Sequence, residues 1–258
     1  MTQEIRLELL THPEVAGLDR GETVVVVPTG SIEQHGPHLP LDTDTFLVTQ
    51  VAAAAARRAQ DSGPVLVTPT ACLGSSEHHM AFPGTLTLSP ATFTQAVKEL
   101  CRSLLRHGFR RLLVVNGHGG NSALLAGLVQ ELGFEEDIHL AFLNYWDAAR
   151  EAVEEVRESP PGGMGHACEF ETSLVLHLRP DSVRTDLIKR EIAEPRYASE
   201  RLDLFLGGPL IAHWKTHELS TSGVMGAPDL ASAEKGRRLF EACVAGVAQA
   251  IEELRRAG

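Results

Sequence analysis

Short runs of β-branched and apolar residues alternate along this chain with longer helix-like patterns, and this alternation constrains the fold most. Each run has the length of a strand, and each gap has room for a polar loop and a helix. Strands joined through helices pair in parallel, so the pattern predicts an α/β fold with three layers around a central, mainly parallel sheet. The predicted strands are residues 23–27, 65–68, 111–115 and 138–144.

The segments between these strands carry recognisable helix signals. Ser89 is a good N-cap, Pro90 suits the first helical position, and Gly108 lies just past the predicted end. Other helices are expected from residue 43 or 44 to 58 and at 122–133, 146–158 and 232–255. Residues 181–206 are charged and uneven, and we interpret them as surface helix and loop, with an oligomer contact as one role for them.

The formal net charge of the chain is −11, from 34 acidic residues and 23 Lys or Arg residues. Charge of this sign repels phosphate backbones and anionic lipid, so we expect neither a nucleic-acid nor a membrane partner. The four cysteines are scattered without paired spacing, and residues 1–20 contain no apolar signal-peptide region. These features predict a cytoplasmic protein with reduced thiols.

The loop after the first predicted strand, residues 30–44, holds two histidines and three carboxylates. Glu33 and His35 are two residues apart, so an extended backbone points both side chains the same way. Together with Asp44 they form a carboxylate and imidazole set that suits a divalent metal. The alternative is a solvated loop with a capping Asp before a helix.

A further histidine, His118, directly follows the third predicted strand, in the run NGHGGN at residues 116–121. It therefore occupies the same kind of position as Glu33 and His35, at a strand end where α/β proteins place their chemistry. The glycines also resemble a phosphate loop, but the run lacks the Lys-Ser/Thr pair and the spacing of one.

The break PPGG at residues 160–163 precedes HACEFETS at 166–173, which opens a helix or a strand. In a helix each residue turns about 100°, so His166 and Glu169 lie roughly 60° apart on one face. Glu171 lies roughly 200° from Glu169, so at most one of the two acids shares a site with His166. We assign Glu169 to the site and interpret Glu171 as a buried or capping acid.

Oxygen and nitrogen ligands without a thiolate fit Zn²⁺, Mn²⁺ or Fe²⁺. The candidates outnumber the three protein ligands usual for one catalytic zinc, which favours two ions per chain with a bridging carboxylate. Such a pair holds a hydroxide and polarises a carbonyl, which is the chemistry of amide or ester hydrolysis, and a remaining histidine passes a proton to the leaving nitrogen. Neither a GxSxG nor a HExxH motif occurs. The candidates are Glu33, His35, Asp44, His118, His166 and Glu169.

Taken together, these motifs resemble the creatininase (creatinine amidohydrolase) family. The matching runs are GSIEQHGPHLP at residues 30–40 with Asp44, EH at 77–78 with FPGT at 82–85, NGHGGN at 116–121, His166 with ETS at 171–173, and GV at 223–224 with Gly226. They stand in family order from about residue 20 to 255, which is nearly the whole chain.

The resemblance implies one creatininase-like domain over residues 1–258, assembled as a homohexamer. It implies a metal-dependent hydrolase acting on C–N bonds other than peptide bonds, in a cyclic or linear amide, as in the conversion of creatinine to creatine. By match, Glu33, Asp44 and His118 hold one divalent ion, and His35 and Asp44 hold the other. His166 matches the histidine of the family that transfers a proton.

The chain departs from true creatininases at a metal ligand. In those proteins a Tyr and a ligating Glu follow the histidine of the third loop, where this chain has Gly119 and Gly120. We infer that Glu169, one helical turn past His166, supplies the missing carboxylate, as in family branches that share the Gly-Gly form.

The substrate pocket departs as well. Of two tryptophans that pack the creatinine ring, Trp146 has a counterpart, and the other is lost near residue 162. Glu77 and His78 lie in a long loop able to close over substrate, so Glu77, His78 and Trp146 are predicted to bind substrate. Related branches deformylate a formamidopyrimidine nucleotide or trim a peptide in mycofactocin maturation, and this chain fits either of these or an unassigned branch. Two non-hydrolase alternatives are a nucleotide-binding protein and a scaffold protein.

Overall fold

The computed structural model describes residues 4–257. Its main sheet contains the four strands β1 (Val24–Thr29), β2 (Val65–Val67), β3 (Arg111–Asn116) and β4 (His139–Asn144). All neighbours in this sheet are parallel, and the strand order is β2-β1-β3-β4. The predicted α/β fold with a mainly parallel central sheet is confirmed, and the strand limits differ from the predicted ones by one or two residues.

The sheet is buried on both faces. Successive residues of a strand point to opposite faces, and Val24 and Val26 pack into one core while Val25 and Val27 pack into another. Cover on both faces explains why the strands are continuous apolar runs. One core is covered by helices α2 (Thr43–Ala59) and α8 (Ala233–Arg256), and the other by α3 (Pro90–Arg106) and α4 (Ser122–Glu135).

Two predicted helical segments differ from the structure. The helix expected at 146–158 begins as a 3-10 turn, Tyr145–Ala149, and continues as a shorter helix. Residues 181–206 form loops and short 3-10 turns without the expected surface helix, since they contain Pro195 and no helix-period apolar stripe. The remaining helices are α1 (His12–Ala16), α5 (Arg150–Val156), α6 (Glu169–Leu178) and α7 (Thr216–Leu219).

The parallel strands place three loops at one edge of the sheet. The loop after β1 leads into α2, the loop after β3 begins with residues 117 and 118, and β4 is followed by Tyr145 and Trp146. A separate antiparallel pair, β5 (Met164–His166) and β6 (Met225–Gly226), ends at His166, just before α6. The carboxyl edge of a parallel sheet is where such folds bind ligands.

Helix α6 is fixed against α8 near its middle and against the start of α2 at its carboxyl end. In α8, Gly236 lies so close to α6 that a side chain there would overlap the carbonyl oxygen of Ser173. At its far end, Arg179 donates two hydrogen bonds of 3.0 and 2.6 Å to the carboxylate of Asp42, and its guanidinium lies 4.0 Å from the ring centroid of Phe46. These contacts set the position of α6 relative to the start of α2.

Among the helices of residues 4–257, none combines the length and the hydropathy that crossing a bilayer would require.

Replacing Gly236 with alanine is expected to lower the free energy of unfolding by about 1–3 kcal/mol, because α6 and α8 must separate to admit the methyl group. Gly127 in α4 is the matched control, since a Cβ there would meet no other atom within 4 Å. Gly127→Ala is expected to stabilise the chain by about 0.5–1 kcal/mol. Denaturant unfolding of both variants measures the difference, and wild-type stability of Gly236→Ala would contradict the packing described.

Candidate metal centre

Buried histidines and carboxylates from five parts of the chain converge at the carboxyl edge of the sheet. The loop after β1 contributes two, the first turn of α2 one, the loop after β3 one, and β5 and α6 one each. Their ligand atoms form three overlapping triplets, and within each triplet all atoms lie within 4.8 Å of one another. The residues are Glu33, His35, Asp44, His118, His166 and Glu171.

The first triplet consists of Glu33, Asp44 and His118. Nδ1 of His118 lies 3.2 Å from Oε2 of Glu33 and 3.0 Å from Oδ2 of Asp44. On the far side of the ring, Nε2 of His118 lies 3.1 Å from the carbonyl oxygen of Ser75, which leaves Nδ1 facing the carboxylates. This orientation is that of an imidazole held by a backbone group so that its other nitrogen can bind a metal.

The second triplet consists of His35, Asp44 and Glu171. Nε2 of His35 lies 3.1 Å from Oδ1 of Asp44 and 3.8 Å from Oε1 of Glu171. Asp44 therefore belongs to both triplets, with Oδ1 toward His35 and Oδ2 toward His118. A carboxylate placed in this way is suited to bridging two cations.

Two carboxylate oxygens of the site are buried and accept no hydrogen bond from the described residues: Oε1 of Glu33 and Oδ2 of Asp44. Imidazole nitrogens approach both, at 3.2 and 3.0 Å, without hydrogen-bond geometry. Buried acceptors without a donor are costly, and carboxylate and imidazole atoms that converge without bonding to each other fit a shared cation. The residues present therefore fit divalent ions.

The electrostatics of the site also favour positive charge between the carboxylates. Burial raises the pKa of Glu33, but the charges of His118 and His79 outweigh it and hold that pKa well below its usual range. Burial lowers the pKa of His118, yet Glu33 and Asp44 together raise it to about 10. A divalent cation satisfies the same demand for positive charge.

The expectation that Glu169 completes the site is corrected by the structure. Its carboxylate accepts hydrogen bonds from the backbone of Glu158 and Ser159, at 3.1 and 3.0 Å, and pairs with the ammonium group of Lys235 at 2.5 Å. It belongs to none of the ligand triplets found among residues 4–257, whereas Glu171 does.

The cause of this error is the backbone between His166 and Glu169. His166 ends a strand, Ala167 has a positive φ of 49°, and α6 begins only at Glu169, so helical spacing does not apply across this turn. Glu171 is the third residue of α6, where it accepts a 3.3 Å hydrogen bond from the backbone of Cys168. Glu171 can therefore cap the start of α6 with Oε2 and direct Oε1 toward His35 in the second triplet.

Gly120, the second glycine after His118, has no room for a side chain of its own. A side chain at Gly120 would overlap Nε2 of His118 and the carbonyl oxygen of Ser75, and would lie 2.9 Å from Cε1 of His78. A carboxylate has to reach the site from another element, and Glu171 on α6 does so. Gly120 allows the histidines to pack closely. Because this packing accounts for the glycine, the glycine no longer indicates a phosphate-binding loop.

Sequence reasoning missed His79 and Gln34. Nε2 of His79 lies 3.2 Å from Oε1 of Glu33, and its Nδ1 lies 2.8 Å from both the Gln34 amide and the Thr216 hydroxyl. Gln34 also donates a 3.0 Å hydrogen bond to the carbonyl oxygen of Gly223. The one signal in the sequence for His79 is its place beside His78 in a long polar loop. For Gln34 the signal is its place in the matching run at residues 30–40; its partners are distant in the chain, so its contacts were not predictable.

Of the predicted substrate-binding residues, His78 and Trp146 line a cavity of about 690 Å³ that contains the metal-type side chains, and Glu77 does not. The loop forms a 3-10 turn, Glu77–His79, in which successive side chains point about 120° apart. Glu77 consequently faces solvent while the two histidines turn inward. The ring of His78 stacks on that of His118, with centroids 5.6 Å apart.

With this geometry established, sequence comparison identifies the family. Residues 8–251 match the creatininase family, described as creatinine amidohydrolase. The creatinine amidohydrolase of Pseudomonas putida is 33% identical over 269 residues, covering 98% of each chain. The mycofactocin precursor peptide peptidase of Mycobacterium tuberculosis is 36% identical over 229 residues, covering 85% of this chain and 81% of that protein. The chain belongs to the creatininase family of amidohydrolases.

Other similarities widen the range of substrates and support metal binding. The 3-dehydro-scyllo-inosose hydrolase of Thermotoga maritima is 27% identical over 233 residues, covering 85% of this chain and 73% of that protein. A manganese creatininase structure and a mutant creatininase of the Zn–Zn type each superpose with a TM-score of 0.80 at 32% identity, covering 97% of this chain and 98% of theirs.

Glu171→Gln is expected to reduce the metal content per chain, because the second triplet loses a charged ligand. The matched control is Glu169→Gln, two residues away, which should keep the full metal content while lowering stability by removing the buried partner of Lys235. Elemental analysis and thermal unfolding of both variants separate the two effects. Loss of metal in Glu169→Gln with full content in Glu171→Gln would reverse the assignment.

Chelation of the metal-loaded protein is expected to lower its melting temperature, since ions that bind only the folded site stabilise it. The stabilisation is about 2.7 kcal/mol at a free ion concentration one hundred times Kd. Differential scanning calorimetry with and without chelator, on protein of known metal content, provides the measurement. An Asp44→Asn variant should show a much smaller difference, and an equal shift in that variant would count against the site.

Proposed function

We propose that this chain hydrolyses a C–N bond of a cyclic or linear amide, by a reaction of the creatinine-to-creatine type, with two divalent ions. The observation that carries the proposal is the carboxylate of Asp44, which is shared by two buried ligand triplets. Membership of the amidohydrolase family supports the reaction class, and the manganese and zinc forms of similar creatininases support the type of ion.

In this proposal Glu33, Asp44 and His118 hold one ion, and Asp44 joins His35 and Glu171 to hold the other. Zn²⁺, Mn²⁺ and Fe²⁺ all suit this oxygen and nitrogen set. When bound, the pair would supply Lewis-acid activation of a water molecule and of the scissile carbonyl.

His166 is the group proposed to move the proton. Its Nε2 lies 2.8 Å from the backbone carbonyl oxygen of Gln34, so Nε2 donates and Nδ1 carries the free lone pair. Nδ1 lies 3.7 Å from Oε1 of Glu33, inside the site. Burial, together with the charges of His79 and His35, lowers the pKa of His166 well below its usual value, which keeps the ring neutral. A neutral imidazole can take a proton from water and deliver it to the leaving nitrogen.

A peptidase acting in cofactor maturation is the second candidate, because the mycofactocin peptidase of M. tuberculosis is 36% identical to the chain. Both candidates use the same ligands and the same proton carrier, and they differ only in the group that the cavity must admit. A formamide deformylase acting on a pyrimidine nucleotide is a third form of the same chemistry.

We also propose that the whole chain works as one domain, in a homohexamer, in the cytoplasm. Three large apolar side chains of the loops near the site are exposed to solvent, Leu41 at 39%, Met80 at 48% and Leu86 at 55%, as expected of residues that a neighbouring subunit covers. All four cysteines are free, as in a reducing compartment. Light scattering of the purified protein tests the assembly, and a monomer at micromolar concentration would contradict it.

His166→Gln is expected to lower kcat by about 10²–10⁴-fold, the usual contribution of a general acid–base group, while both ions remain bound. His139→Gln, at the start of β4 and outside the ligand triplets, is the control and should behave as wild type. The assay begins with a panel of creatinine, formamides and short peptides. If His166→Gln retained full activity on a substrate found in this way, another residue would have to move the proton.

A further inference from the structure

The cavity that contains the metal-type side chains has a second wall, formed by residues 200–214, which we call the outer wall. The sequence did not predict that this segment belongs to a site. It forms neither a regular helix nor a strand. An isolated parallel β-bridge between Glu200 and Leu210 holds the backbone of this segment in place. The outer wall is thus a fixed part of the site.

The outer wall presents exposed apolar side chains to the cavity. Ile211 is 96% exposed and Leu210 is 40% exposed, and both line the cavity. Trp214 lines it too; it is half-buried against a small apolar cluster that includes Leu202, and among the rings of residues 4–257 it contacts only that of His78, edge-on at 5.6 Å. Large apolar groups left uncovered at the rim of a polar site are suited to binding an apolar part of a ligand.

Both tryptophans of the chain line this one cavity, Trp146 after β4 and Trp214 on the outer wall. The rings of His118, His78 and Trp214 follow one another with centroid separations of 5.6 Å each. Trp214 therefore lies two ring contacts away from a residue of the first ligand triplet. One molecule can therefore reach both Trp214 and the ligand triplets, because they line the same cavity.

The charges of the cavity restrict the ligand further. Arg201 is the one Lys or Arg that lines it among the described residues, and its guanidinium donates hydrogen bonds of 2.9 and 2.7 Å to the carbonyl oxygens of Ala198 and Glu200. Glu200 and Asp203 also line the outer wall, and the carboxylate of Asp203 is neutralised by an ion pair with Arg157 at 2.6 Å. A phosphate on this side would meet the carboxylate of Glu200 and one cation that is already engaged, which disfavours it.

We propose that the outer wall is a substrate subsite for an uncharged aromatic or similarly planar apolar group, and that Trp214 determines specificity for it. The proposal rests on the proposed amide hydrolysis and deepens it. The substrate is then an amide that carries such a group beyond the scissile bond and no phosphate at that end. A small ring such as creatinine would leave the outer wall unused.

Binding to the metal-loaded protein tests this without knowledge of the natural substrate. The probes are three cyclic ureides, 5-methylhydantoin, 5-benzylhydantoin and 5-benzylhydantoin with a phosphate at the para position. Calorimetry gives affinities, and tryptophan fluorescence reports occupancy because both tryptophans line the cavity. The benzyl compound is expected to bind wild type several-fold more tightly than the methyl compound, and the phosphate should remove the gain.

Trp214→Ala is expected to weaken binding of the benzyl compound about three- to tenfold, as the loss of one aromatic contact predicts, with binding of the methyl compound unchanged. Phe134→Ala is the control, since Phe134 is an exposed aromatic on α4 outside the cavity. Metal content is measured for every variant, so failure of the metal site is recognised separately. Equal binding of methyl and benzyl compounds, no binding of either, or no effect of Trp214→Ala would overturn the proposal.

Discussion

The shared carboxylate of Asp44 is the interaction on which the site depends. It lies in the first turn of α2, which starts directly after the loop that contains Glu33 and His35, so one short stretch contributes to all three ligand triplets. His118 and Glu171 arrive from β3 and α6, each on one side of this carboxylate. The surrounding packing serves to hold these elements in place, and the contact of Arg179 with the start of α2 is one example.

The buried cluster of charged side chains lowers the stability of the fold, and its chemistry indicates why the chain keeps it. Three buried carboxylates and several buried imidazoles crowd together, and two carboxylate oxygens receive no hydrogen bond from residues 4–257. Apolar side chains of similar volume at these positions would give a more stable fold. Such a cluster is retained where it binds something, and divalent ions satisfy the charges that it contains. In the function that we propose, the outer wall then selects the amide that reaches them.

Much of the fold and most of the site were predictable from sequence. Glu33, His35 and His118 follow parallel strands, and strand ends share one edge of the sheet, so periodicity alone places them together. Glu171 was not predictable, because one residue with positive φ, Ala167, breaks the helical spacing on which the choice of Glu169 rested. The outer wall was not predictable either, since loops without periodicity acquire their position from tertiary contacts such as the bridge between Glu200 and Leu210.

The most direct test of this account is anomalous diffraction from crystals of the protein loaded with Zn²⁺ or Mn²⁺. The account predicts two peaks per chain, about 3.5–4 Å apart as in other two-metal hydrolases, with Asp44 between them and Glu171 beside one of them. A single peak, or a second peak bound by Glu169 and not by Glu171, would contradict it.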